Sequence, residues 1–320
     1  MLHVLAVFAA AVLFGTTGTS QALGPEGTTP LAVGAVRLAI GGTGLAIIAF
    51  ALARRHRVRA ERRGDAAPVA LRSLTRPQRI RTLALMALTG VCLALYQPLF
   101  FMGTARNGVA VGTVIALGSA PIMAGLLEWL LTRKAPSGAW MGATALATVG
   151  VVLLGFGGEA AGAGTGGTDP IGLLGSLGAG ASFAIFANAQ RRLLDAGWDP
   201  FTVVGAMGAS SAVIGIVALP FLDLSWLATP AGLTMGLWLG FATVSIAYVL
   251  FTWGLSGLTA ATAATLTLGE PLTAGILGIV VLDERLSPLA IAGLAVLTAG
   301  LGLLAWGSRS RDPRPFAVEG

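Results

Sequence analysis

Apolar residues fall into long runs separated by short polar breaks, and ten of these runs are long enough to cross the roughly 30 Å hydrocarbon layer of a bilayer. They read as spans from Leu2 to Ala22, Leu31 to Ala53, Thr82 to Gly103, Val109 to Leu131, Ala139 to Phe156, Ile171 to Ala189, Phe201 to Phe221, Ala231 to Gly254, Leu258 to Leu282 and Leu289 to Trp306. The first run is too long for the h-region of a secretory signal and lacks a basic n-region, so it is kept as a true span. An all-α membrane protein of ten transmembrane helices is therefore expected.

The runs are interrupted at two corresponding places. Leu268-Gly269-Glu270-Pro271-Leu272 sits in the middle of the ninth run, and Ser119-Ala120-Pro121 in the middle of the fourth, 150 residues earlier. Proline cannot donate a backbone hydrogen bond, and glycine allows close approach to the backbone, so Gly269, Pro271, Ser119 and Pro121 mark expected helix breaks. Pro98 in the third run is a further one. Broken helices at matching positions in two halves point to the binding site of a secondary transporter.

The halves are related by sequence. At a constant offset of 150, residues Pro121 to Leu154 match Pro271 to Leu304 at ten of 34 positions, among them Pro121/Pro271, Gly125/Gly275, Ser137/Ser287 and Gly150/Gly300. Shared apolar composition alone gives roughly one in ten. Farther upstream the offset becomes 170, pairing Pro30 with Pro200 and Val33 with Val203. Five helices per half is odd, so the second half enters the bilayer from the opposite side. The expected organisation is a first repeat over 1–157, a glycine-rich outer linker over 158–170, an inverted second repeat over 171–306 and a cytoplasmic tail over 307–320.

Composition sharpens the class. Hydrophobic residues make up 55% of the chain and charged residues 11%, far below the roughly 25% charge of a soluble domain. The net charge of +6 does not imply nucleic acid, because ten of the basic residues lie between Arg54 and Arg81, beside membrane spans. With the N-terminus inside, 17 of the 20 basic residues fall on the inner side. Both termini are then cytoplasmic, the protein is a multi-pass protein of the cell membrane, and the arginine-rich segment is read as a flexible inner loop touching lipid. The single cysteine, Cys92, excludes an internal disulfide.

At this point the residues resemble the drug/metabolite transporter superfamily, and within it the EamA family of ten-helix, two-repeat carriers. Gly269-Glu270-Pro271 followed by Leu282-Asp283-Glu284-Arg285-Leu286-Ser287 is similar to that family's signature at the end of its second repeat. Arg37 in Val36-Arg37-Leu38-Ala39 resembles the arginine of its second helix, and Phe14-Gly15-Thr16-Thr17 its first-helix segment. The first repeat departs from the pattern, with Thr132-Arg133-Lys134-Ala135 where an acidic-basic pair is frequent. The resemblance implies a secondary carrier, commonly an exporter of amino acids or other small metabolites.

Three charges lie inside spans: Arg37, Glu128 and Glu270. A carboxylate at mid-membrane costs a few kcal/mol unless it is paired or faces water. Two readings follow for Arg37 and Glu270, a permanent structural ion pair or a site that takes a zwitterionic substrate or a proton. Glu128 lies near the inner end of its helix and His3 at the interface. Thr16, Thr17, Gln97, Asn188, Tyr248 and Trp253 are the remaining candidates, with Tyr96 beside Gln97; such groups either line a cavity or bond helix to helix. No phosphate loop, metal-ligand spacing or nucleophile-base set occurs, so neither cofactor, metal nor catalytic residue is expected. The expected partners are a small-molecule substrate, membrane lipid and protons, with the chain a monomer or homodimer. Export of an amino acid or drug-like solute by alternating access is the leading function. Uptake of a sugar or nucleotide-linked solute, or a membrane scaffold acting through the arginine segment, are the alternatives.

Overall fold

A computed structural model describes residues 1–64, 68–157 and 169–307. Every regular element among them is helical. The helices are α1 (Leu2–Ala22), α2 (Pro30–Arg63), α3 (Arg76–Asn107), α4 (Val109–Thr132), α5 (Gly138–Gly157), α6 (Pro170–Asp195), α7 (Pro200–Ala218), α8 (Pro230–Gly240), α9 (Ala247–Leu255), α10 (Ala260–Leu266), α11 (Gly269–Leu282) and α12 (Pro288–Gly307). A π-helical segment, Phe241–Ile246, joins α8 to α9, and a two-residue turn joins α10 to α11, so the twelve helices make ten spans.

Local chemistry sets the ends. Pro occupies the first turn of α2, α6, α7 and α8, where its missing N–H is not needed. The side chains of Thr29, Asp169, Asp199 and Thr229 accept hydrogen bonds from first-turn amides of those four helices. Gly64, in the left-handed region at φ 70°, ends α2.

The arginine-rich segment departs from the expected loop. Arg54–Arg63 continues α2 for almost three turns beyond the apolar run, and α3 begins at Arg76 behind a Thr75/Gln78 capping box. Arginine is a good helix former, and no glycine or proline intervenes before Gly64. The expected linker falls outside the described residues except for Asp169 and Pro170, which start α6, and the tail does so except for Gly307.

Two of the three expected helix breaks are also corrected. Pro98 lies inside an unbroken α3 and Pro121, with Ser119, inside an unbroken α4. Each proline removes one backbone bond, but neighbouring helices hold the chain in register on both sides. Only at Gly269–Pro271 does the span part, between α10 and α11.

Small residues let the helices meet backbone to backbone. In the α2–α7 crossing a Cβ on Gly42 would sit 2.8 Å from the Ala212 nitrogen. In the α5–α12 crossing a Cβ on Gly150 would overlap the Leu297 backbone, and one on Gly300 would lie 2.6 Å from the Ala147 nitrogen. Elsewhere α3 packs on α6, α4 on α6, and α1 on α9 and α11. The resulting core centres on Phe14, Leu38, Phe183, Phe186, Val244, Tyr248 and Phe251.

Candidate functional site

The helices converge on a central cavity of about 60 Å³. Its polar lining is Arg37 from α2, Tyr96 and Gln97 from α3, Tyr248 from α9, Thr267 from the α10–α11 turn and Glu270 from α11. Phe14, Leu38, Leu93, Leu117, Ala120, Phe183, Val244 and Leu268 complete the wall. The volume holds about four water molecules and is well short of the roughly 300–1,000 Å³ of a ligand pocket. The site is closed down.

Arg37 and Glu270 face the same cavity without touching. The ion pairs within 4.0 Å among the described residues include His56–Asp199, Arg106–Asp169 and Arg191–Asp195, and none joins Arg37 to Glu270. Arg37 instead donates from Nη1 to Gln97 Oε1 at 3.3 Å, while its Nε is buried with no partner. An unsatisfied guanidinium N–H at this depth costs free energy that an incoming acceptor recovers.

Aromatic rings floor the cavity. The Tyr248 and Phe14 ring centroids are 5.1 Å apart, and Tyr248 also meets Phe186 and Phe251 edge-on at 5.9 and 6.4 Å. Tyr96, also of the lining, stacks on Phe100 at 6.0 Å. Pro121 lies one residue after Ala120 of the wall and cannot bond back to the carbonyl of Leu117, another wall residue. The proline thus shapes the cavity without breaking its helix.

The structure therefore gathers Arg37, Gln97, Tyr248 and Glu270, and with them Tyr96, and sends the other candidates elsewhere. Asn188 is buried in the α4–α6 contact, where Nδ2 donates to the carbonyls of Ala124 (3.1 Å) and Ala184 (2.9 Å). Trp253 stacks on His3 at 4.9 Å, and His3 Nδ1 bonds its carbonyl. Thr16 bonds the Leu13 carbonyl and accepts from Trp238 Nε1 at 3.0 Å. The Thr17 hydroxyl is buried without a partner, away from the cavity wall. Ser119 bonds the Ala116 carbonyl in its own helix. Glu128 caps α10, its Oε2 accepting from Ala261 N at 2.8 Å.

Thr267 and Val244 were not legible as site residues. Val244 enters the wall from the π-helical segment, in which neither glycine nor proline occurs to announce the distortion. Such segments recur at functional sites. Here Ser245 donates to the Gly41 carbonyl at 2.8 Å and ties the segment to α2.

Comparison with known proteins shows the family. The profile of the EamA-like transporter family matches residues 1–156 and 170–306. The chain belongs to the EamA-like transporter family. It is a multi-pass membrane transporter, and small molecules are the substrates its family implies. An uncharacterized transporter of Bacillus subtilis (strain 168), YwfM, is 39% identical over 302 residues, covering 94% of this transporter and 92% of the relative. A solved chain titled only as the crystal structure of a protein superimposes with a TM-score of 0.72 over 96% of the transporter and 97% of that chain, at 18% identity. That likeness speaks for the fold alone.

Proposed function

We propose that this transporter carries a small solute bearing both an anionic and a cationic group, amino acids being the simplest, by alternating access, and that its physiological direction is export from the cell. The carrying observation is that Arg37 and Glu270 share one cavity with no salt bridge between them, and that Arg37 Nε has no partner. The guanidinium takes the substrate carboxylate beside Gln97. Glu270 takes its amine, or a proton when the site is empty.

Alternating access is read from two inverted repeats, and the packing supports them. Gly42 and Ala212, equivalent at the 170-residue offset, meet each other in the α2–α7 crossing. At the 150-residue offset the Gly150–Leu297 contact maps onto Gly300–Ala147, which is also present. Both are what a two-fold axis in the membrane plane requires of equivalent halves. Placement in the cell membrane with both termini cytoplasmic rests on the arginines at the end of α2 and the start of α3, which favour the inner side.

The test is flux in proteoliposomes against a panel of amino acids and small metabolites, run as counterflow in both directions. One class of bipolar solute is expected to move, with flux lost in Glu270→Gln and Arg37→Gln. A panel in which nothing moves in a Glu270-dependent way would sink the proposal.

A further inference from the structure

A second cavity, of about 270 Å³, lies between α2, α3 and α7 and shares two residues, Leu38 and Gln97, with the central one. Both α2 and α3 pack closely on α7 but far less closely on one another, which leaves this gap between them. Its walls are almost wholly apolar, built from Gly34 and Ala35 of α2, Ala94 and Pro98 of α3, and Ile214, Gly215 and Ala218 of α7. Leu31, Ile214 and Phe221 of its lining are exposed, Phe221 to 84%, with Leu31 and Phe221 at the ends of their spans.

Gln97 and Leu38 line both this pocket and the polar cavity. Gly34 makes the arrangement possible, since a Cβ there would lie 3.0 Å from Gln97 Cγ. The amide is held in place by its bond from Arg37 Nη1. A ligand acceptor that takes over the guanidinium therefore also frees Gln97 to swing, joining a charged compartment to an oily one.

We propose that the pocket between α2, α3 and α7 holds the hydrocarbon tail of an amphipathic substrate whose charged head occupies the Arg37/Glu270 cavity. This rests on the head-group reading above and extends it to a substrate class: zwitterions with an unbranched apolar tail. The pocket adjoins the head site across Gln97 and Leu38, is apolar where the head site is charged, and has the exposed side chains of Leu31, Ile214 and Phe221 in its lining, past which a tail can enter.

The test is calorimetric titration of the full chain in lipid nanodiscs with unbranched 2-amino acids from alanine to 2-aminodecanoic acid. Affinity is expected to rise by about fourfold for each methylene that enters the pocket. Filling the pocket with Ala218→Phe should flatten that slope, with Ile214→Trp as a second filler should the first not fold. Val280→Phe, on the exposed surface of α11, should keep it. A slope that is equal in filled and wild-type protein means annular lipid or bulk partitioning only, and overturns the proposal; so does failure of the long members to bind. A slope that persists in Glu270→Gln at wild-type affinity sinks the head-group reading and leaves the tail pocket standing.

Discussion

Asn188 and Arg37 are both polar groups inside spans, and the difference between them lies in what their neighbours leave unsatisfied. Asn188 spends its amide on two carbonyls of α4 and α6 and is a structural pin. Asn188→Leu is expected to lower thermal stability by about 1 kcal/mol, with flux per folded molecule retained, as melting and transport on one preparation would show. Arg37 lines the cavity and leaves its buried Nε unpaired, so Arg37→Lys, which preserves charge but not the planar fork, is expected to weaken substrate binding by about tenfold or more. Titration of the solute found in the flux panel checks this. Sequence marked both as polar groups inside spans and could not separate them, because position along a span does not give the direction a side chain faces. Glu270 was legible for a firmer reason: a carboxylate between glycine and proline in an apolar run has few structural uses. Trp253, by contrast, was drawn in by chemistry alone, and its partner proved to be His3, 250 residues away in sequence.

Among the elements, helix starts were the most legible, because proline and a capping side chain announce them. Asp169 shows how much one such residue does. Its Oδ1 accepts from Ile171 N at 2.8 Å, its Oδ2 pairs with Arg106 at 2.8 Å, and its backbone exchanges two hydrogen bonds with Asn107. The Arg106 guanidinium and the first-turn amides hold its carboxyl below the usual carboxylate range. A depressed value stabilises the folded state above the unfolded pKa of about 3.9, and the stabilisation is lost as pH falls through the folded value. Wild-type melting temperature should thus drop on acidification below about pH 4 by more than that of Asp169→Asn, whereas above about pH 5 the variant should be the less stable throughout. The glycine crossings were visible only as composition. Which glycines touch backbone depends on helix rotation, and the pairing of Gly150 with Leu297 and Gly300 with Ala147 emerges only in three dimensions. Gly300→Leu, which drives a branched side chain into the Ala147 backbone, is expected to cost more than about 2 kcal/mol, visible as loss of monodisperse protein, while Gly302→Leu, with open space around it, should be tolerated.

For the whole molecule, a 60 Å³ cavity implies that transport needs movement of complete helices, and the hydrogen bonds at one end of the bundle show where that movement is resisted. Arg191 of α6 donates from Nη1 to the carbonyls of Leu255, Ser256 and Leu258 and pairs through Nη2 with Asp195, fixing the α9–α10 turn. Glu128 of α4 holds the first turn of α10, just beyond it, through Ala261 N. This clamp ties α4, α6, α9 and α10 together beneath the site, at the end where α1 begins. Its carbonyl acceptors are Leu255 at the end of α9 and Ser256 and Leu258 just after it, where a cation is favoured on dipole grounds as well. Cys92 is the only cysteine, so Cys92→Ser provides a background in which a single thiol at position 117 of the cavity wall reports access by a membrane-impermeant maleimide. Adding Arg191→Ala removes four hydrogen bonds from the clamp and leaves the cavity lining unaltered. If the clamp is the barrier on that side, labelling from the face carrying the α9–α10 turn should rise about tenfold or more, the equivalent of roughly one lost charged hydrogen bond, while labelling from the opposite face falls as that state is depopulated. Labelling that rises equally from both faces would mean loosened packing instead of a shifted equilibrium, and the clamp would then be structural.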